Sequence, residues 1–84
     1  MGTKNNPGQF DCYDKALPDE PMFVLLARDP DFARLIHLWC ERRNHDINAG
    51  ERPVTDRALI IEAYACAADG AKWRRDNLGK WRKP

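Results

Sequence analysis

The stretch from Arg57 to Asn77, RALIIEAYACAADGAKWRRDN, constrains this chain more than any other. Read at helical spacing, its apolar residues (Ala58, Leu59, Ile60, Ile61, Ala63, Tyr64, Ala65, Cys66, Ala67, Ala68 and Ala71) run nearly all the way round the axis. Such a helix has to be covered on more than one side. Its alanines let a neighbouring helix approach closely. Gly70 interrupts them at a cost of about 1 kcal/mol against alanine, so it marks either a close contact or a slight kink. Thr55 or Asp56 stands where an N-cap is needed, and Gly79 is placed to stop the helix.

The helix before it is predicted from about Pro30 to Asn48, with Phe32, Leu35, Ile36 and Trp39 recurring on one face and Leu38 alongside. Asp29 caps it, with Pro30 at the first position and Asp31 in the first turn. Gly50 fits just past its end, and Pro53 forbids simple continuation, so AGERPV is a turn. Trp39 is expected between the two helices, where Trp39→Ala would cost about 3–5 kcal/mol. Further upstream, Asp19 or Glu20 can cap a short helix opening at Pro21 and carrying Met22, Phe23, Leu25 and Leu26, which Asp29 ends because it precedes Pro30. A short strand is the competing reading of MFVLL. FDCYDKA reads as a short extended stretch.

The fold class expected is therefore all-α: a short N-terminal helix followed by a two-helix hairpin. Residues 1–9 are expected to be flexible, 10–79 to form a single helical domain, and 80–84 to be a basic tail. A chain of 84 residues makes one domain and buries only about 60% of its unfolded surface. Completion by oligomerisation, with a homo-oligomer as the working form, follows from the many-sided apolar helix.

Charge is unevenly spread. Residues 72–84 hold six basic residues and one acid, whereas the rest of the chain holds eight basic and twelve acidic residues. An acidic body with a basic end can meet an anion at that end. Tryptophans stand among the cations in KWRRDNLGKWRK, and arginine with indole can grip a nucleotide by phosphate and base. The candidate binding residues are Lys72, Trp73, Arg74, Arg75, Trp81 and Arg82. Arg28 and Arg34, which flank the Asp29–Pro30 junction, are a second candidate clamp; their plain structural role is pairing with Asp29, Asp31 or Glu62.

Chemistry-bearing motifs are sparse. There is no Gly-rich phosphate loop, no G-x-S-x-G and no Cys/His pair in a recognisable context, so no catalytic residue is assigned and the protein is read as non-enzymatic. His37, Cys40 and His45 invite a metal reading, but their spacing matches no zinc or metalloprotease pattern; neither metal nor cofactor is expected. The three cysteines, Cys12, Cys40 and Cys66, form no even disulfide framework. With no apolar run of membrane-spanning length and no signal-like segment, the chain is read as cytosolic, without a membrane partner.

The segment ALPDEPMFVLLARDPDFARLIHLW resembles small uncharacterised accessory proteins of phages and prophages of Gram-negative bacteria, which share a P-D-E-P, F-V-L-L, A-R-D-P core and an amphipathic helix ending in Trp. EAYACAADGAKWRRDN is similar to the continuation of that pattern, so that the resemblance spans about two thirds of the chain. The family brings no assigned activity and no functional residue. It implies a compact phage protein in the host bacterial cytosol that binds a host component stoichiometrically, commonly a defence system.

The function expected is a non-enzymatic, phage-encoded counter-defence protein that occludes a host immune protein or sequesters an anionic nucleotide signal. The alternative is a nucleic-acid-binding accessory protein using the basic Trp/Arg tail. A structural or assembly protein of a virion is a third reading.

Overall fold

The structure, a computed structural model, describes residues 1–82. Among them there is no strand. Helix α1 spans Cys12–Lys15, α2 Phe32–Asn48, α3 Arg57–Asp76 and α4 Leu78–Trp81, with a 3-10 turn at Val54–Asp56 leading into α3. The all-α class and the hairpin of two long helices are as the sequence predicts.

The turn between the long helices follows from one glycine. Gly50 sits at φ +78°, a left-handed conformation that costs glycine nothing. Its N–H donates to the Ile47 carbonyl at 3.0 Å, and the Glu51 N–H donates to the Asp46 carbonyl at 2.9 Å. These two bonds make a Schellman cap, which satisfies carbonyls that the end of α2 leaves open. Arg57 then donates from Nη2 to Asn48 Oδ1 at 3.0 Å, tying the start of α3 to the end of α2. Neither Thr55 nor Asp56 makes a side-chain cap bond; the 3-10 turn starts the helix instead.

The core lies along the α2–α3 seam and is small: Cys40, Ile47, Ile60, Ala63 and Ala67 are its buried hydrophobic residues. Cys40 is fully buried, its Sγ 3.9 Å from the Ile60 carbonyl. Met1, Ile36, Trp39 and Tyr64 are partly buried against this cluster. Trp39 is thus not enclosed between the helices as expected. Its ring covers the edge of the seam, and the Arg43 guanidinium lies 4.9 Å from the ring centre. Alanine and cysteine bring the two backbones so close that an indole does not fit between them.

At Gly70 the backbone of α3 meets the Phe32 side chain at close range. A Cβ built there would fall on Cε1 and Cδ1 of the Phe32 ring, 2.7 Å from the latter, and 3.4 Å from the Ala27 Cβ. Of the two roles open to Gly70 in the sequence, the structure gives it the close contact.

Two local expectations are corrected. Residues 21–26 do not form a helix opening at Pro21; they carry no regular secondary structure. The Glu20 carboxylate accepts the Leu17 N–H at 3.1 Å, so it closes a turn rather than capping a helix. With Pro21 and Pro30 as bounds, the window is too short for an isolated helix to be stable, and β-branched Val24 weakens it further. The single N-terminal helical turn lies instead at Cys12–Lys15, within the stretch read as extended. The end of α3 falls at Asn77, as the predicted span Arg57 to Asn77 has it, with the Asn77 side-chain amide donating to the Trp73 carbonyl at 3.0 Å, so Gly79 is not needed as the stop.

Residues 1–10 lie against α3 through Glu62. Its carboxylate accepts the Gln9 N–H at 2.9 Å and the Phe10 N–H at 3.1 Å, and it shares the Met1 amine with Asp11. The amine first, then the two backbone N–H groups, hold the Glu62 carboxyl below its ordinary range.

Two outcomes are expected. Gly70→Ala should destabilise the protein by about 1–2 kcal/mol in urea unfolding, because displacing the Phe32 ring outweighs the helix-propensity gain. Adding Phe32→Leu should recover part of that loss, and an unchanged or raised midpoint for Gly70→Ala would refute the contact. For Glu62, a depressed carboxyl contributes stability that is present above the ordinary carboxylate pKa and is lost as pH falls through the depressed value. Glu62→Gln should therefore lower the melting temperature at neutral pH, by about 1 kcal/mol equivalent after allowance for its partial exposure. The difference from the parent chain should vanish in acid.

Candidate functional site

A groove of about 610 Å³ runs between residues 25–28, which enter a turn closed by the Asp29 N–H on the Leu26 carbonyl, and the second half of α3. Its volume falls in the range of small-ligand sites, about 300–1,000 Å³. Leu25 and Ala27 contribute from the segment before α2, Phe32 from the start of α2, and Cys66, Gly70 and Trp73 from successive turns of α3. Leu25 and Ala27 are the half-buried members of the segment; the period of 3.6 in α3 puts residues 66, 70 and 73 on one face.

Three of the predicted site residues meet here: Arg28, Lys72 and Trp73. Asp69 and Asp76 line the same groove, so its side-chain cations are matched by an equal number of carboxylates. Lys72 is already committed, its Nζ 2.6 Å from Asp76 Oδ2, and this ammonium holds the Asp76 carboxyl below its ordinary range. Arg28 makes no ion pair among the described residues.

The other candidates lie elsewhere. The turn at Asn77 redirects the chain, so that α4 brings Trp81 back onto α3. The Trp81 Nε1–H donates to the Arg74 carbonyl at 3.1 Å, and the Arg74 guanidinium sits 4.3 Å from the Trp81 ring centre. Arg74 Nη1 also donates to the Arg28 carbonyl. The arginine and indole expected to grip a nucleotide therefore grip each other. Arg75 and Arg82 are exposed and do not line the groove. Arg34 lies on α2, paired with Asp31 at 3.4 Å across one helical turn. Lys83 and Pro84, the last residues of the expected 80–84 tail, fall outside the described residues.

His37, Cys40 and His45 do not converge. His37 meets Tyr64 edge to face, ring centres 5.3 Å apart, Cys40 is enclosed in the core, and His45 is exposed beside Asp46. Among the described residues no group of three metal-ligating side chains gathers, and no helix is long and apolar enough to cross a membrane.

Sequence reasoning missed Leu25, Ala27, Phe32, Cys66 and Asp69 as groove residues. The available signal was the glycine set among alanines at 70.

The thiols differ sharply in setting. Burial pushes the Cys40 and Cys66 thiols up, whereas Cys12 is exposed. A maleimide at neutral pH should modify Cys12 first and Cys66 more slowly, with Cys40 reacting only on unfolding. Mass spectrometry of timed samples checks this order, and early modification of Cys40 would show the seam to be open. Comparison with known protein families, characterised proteins and solved structures found no match for this chain.

Proposed function

We propose that this chain is a non-enzymatic binding protein that acts by stoichiometric association with another protein. In the setting its resemblance implies, that partner is a host defence protein which a phage-encoded chain occludes. The observation that carries the reading is surplus surface. The chain exposes 6900 Å², whereas a compact monomer of 9.7 kDa exposes roughly 5,100 Å². Its radius of gyration, 14.3 Å, likewise exceeds the roughly 12 Å of a compact domain of this length. Much of the surplus is apolar, with Leu35, Leu38, Val54 and Ile61 all exposed on or beside the helix pair. Association with a protein removes such surface from water.

The outer face of α2 suits this role. Leu35 and Leu38 stand one turn apart on the side away from Cys40, with Arg34 and Arg42 exposed beside them. Apolar anchors at i and i+3 flanked by arginines fit an apolar cleft with an acidic rim. Sequestration of a nucleotide draws less support, because Lys72 and Arg74 already have partners and the groove carries as many acids as cations. The nucleic-acid alternative rests on Arg75, Lys80 and Arg82, which are exposed on the basic end.

A photo-crosslinking residue at Leu38, in the chain expressed in a Gram-negative host, should capture one host protein in equimolar amount; the same residue at Arg52 should not. Leu35→Asp with Leu38→Asp should weaken that complex by about thirtyfold or more while leaving the helical circular dichroism intact. Absence of a crosslink, together with tight binding of a nucleotide or a duplex that is lost in Arg74→Ala/Arg75→Ala, would replace this reading with one of its alternatives.

A further inference from the structure

We infer that residues 21–25 are a processing site, cut at the Phe23–Val24 bond by an endoprotease with an apolar S1 pocket, and that the cut releases residues 1–23 from α3. The inference does not rest on the association proposed for the outer face of α2, whose anchors Leu35 and Leu38 lie beyond the cut.

A protease takes its substrate as an extended chain and pairs with main-chain N–H and C=O groups on both sides of the bond it cuts. It therefore needs backbone that the fold has left unused, and beside it a side chain able to enter the S1 pocket. Residues 21–25 supply both. They carry no regular secondary structure, and among the described residues their N–H and C=O groups pair with no other backbone group. Phe23 is 86% exposed and Val24 67%, so the aromatic ring can enter a pocket without any helix opening.

The other exposed apolar side chains stand at bonds the fold protects. Tyr13 lies in the helical turn of α1. Leu17 precedes Pro18, its carbonyl accepts the Glu20 N–H at 3.0 Å, and its own N–H donates to Glu20 Oε1. The Leu26 carbonyl is taken by the Asp29 N–H at 2.9 Å, in the turn ahead of α2. Leu35, Leu38 and Ile61 lie within the long helices, whose main chain is committed to its own ladder. Val54 and Leu78 lie in the 3-10 turn and in α4. Met22 shares the open stretch but is less exposed than Phe23. At the Phe23–Val24 amide, hydrolysis adds one water: the hydroxyl joins the Phe23 carbonyl carbon as the C–N bond breaks, and the proton goes to the Val24 nitrogen. At neutral pH the new acid gives up its proton and the new amine takes one, leaving a carboxylate and an ammonium.

The cut separates two parts that are held very differently. The seam residues Cys40, Ile47, Ile60, Ala63 and Ala67, and the contact of Phe32 with Gly70, all lie beyond it, so the hairpin keeps its own packing. Residues 1–23 include no buried residue. They are held by the Glu62 carboxylate, through the Met1 amine and the Gln9 and Phe10 N–H groups, and by Met1 packing half-buried against the core. While the chain is continuous these contacts form within one molecule, at an effective concentration on the order of millimolar. After the cut they have to form between separate molecules, and so few do not persist at micromolar concentration. Met1, Gly2 and Thr3 line the groove together with Cys66, so their departure opens that end of the groove and uncovers the Cys66 thiol.

The test is limited digestion of the whole chain with chymotrypsin, read by intact-mass spectrometry of timed samples. The first products should be 1–23 and 24–84, ahead of any cut at Tyr13, Trp39 or Trp81. At about 10 µM the two pieces should elute apart on size exclusion, with the helical circular dichroism retained. Maleimide should then label Cys66 about tenfold faster than in the uncut chain. Val24→Pro places a proline after the scissile bond, and Phe23→Gly removes the side chain that enters S1. Each should slow loss of the intact chain about tenfold or more, because cleavage must then use a poorer bond or await a local opening. A first cut elsewhere, or a rate that neither substitution moves, would remove the processing site. Pieces that elute together with Cys66 still slow, or a loss of helical signal on cutting, would overturn the release.

Discussion

The Phe32 ring lying on the bare backbone of Gly70 is the contact on which the rest of this structure depends. It joins the first residue of α2 to the second half of α3, and Ala27 reaches the same spot from the segment before α2. Three parts of the chain are thereby held at one point. Without a side chain at residue 70, the aromatic ring can seal this end of the hairpin, much as Cys40 against Ile60 seals its middle and the Gly50 cap its turn. The groove beside Trp73 exists because the segment that carries Leu25 and Ala27 is pinned there and runs on along α3 rather than away from it.

A seam built from alanine, cysteine and glycine brings the helices close but buries little. Among the described residues, Ile47 and Ile60 are the only large aliphatic side chains in the core. At about 25 cal/mol per Å² of apolar area, small side chains contribute correspondingly little to stability, so the fold gains geometry from this seam more than free energy. The N-terminal third of the chain covers one edge of the hairpin, through Glu62, Cys66 and Trp73, and leaves the outer faces of both helices to solvent. Exposed apolar surface is the consequence, and it is the ground of the association proposed for α2.

Electrostatics points the same way. Taken as a sequence, the end of the chain is a run of cations interleaved with tryptophan. Folded, much of that character is consumed internally: Lys72 by Asp76, and Arg74 by the Trp81 ring and the Arg28 carbonyl. A cation already hydrogen-bonded or stacked has less to gain from an added anion, because the new contact must first replace the old one. What stays available is Arg28 at the rim of the groove, with Arg75, Lys80 and Arg82 on the basic end.

Local chemistry alone determined the two long helices, the end of α2 at Gly50, and the need of Gly70 for a close neighbour; α2 itself opens at Phe32, two residues past the expected Pro30, because residues 27–31 turn before it. Periodicity, proline and glycine act over one or two turns and are legible without knowing what lies opposite. The course of residues 17–28 was decided differently. Their apolar residues favour no single period, and an irregular course between two turns prevailed because α3 and Phe32 offer Leu25 and Ala27 a place to pack. Trp39 shows the same division: helical spacing put it on the inner side of α2, but only the closeness of the alanine-lined seam moved its ring to the edge. The pairing of Arg74 with Trp81 likewise required the break at Asn77, since a straight helix would have carried the tryptophan past it. Spacing along the chain states which residues can share a face; whether that face is filled, folded back or left open depends on distances between segments far apart in sequence, and those only the tertiary structure supplied.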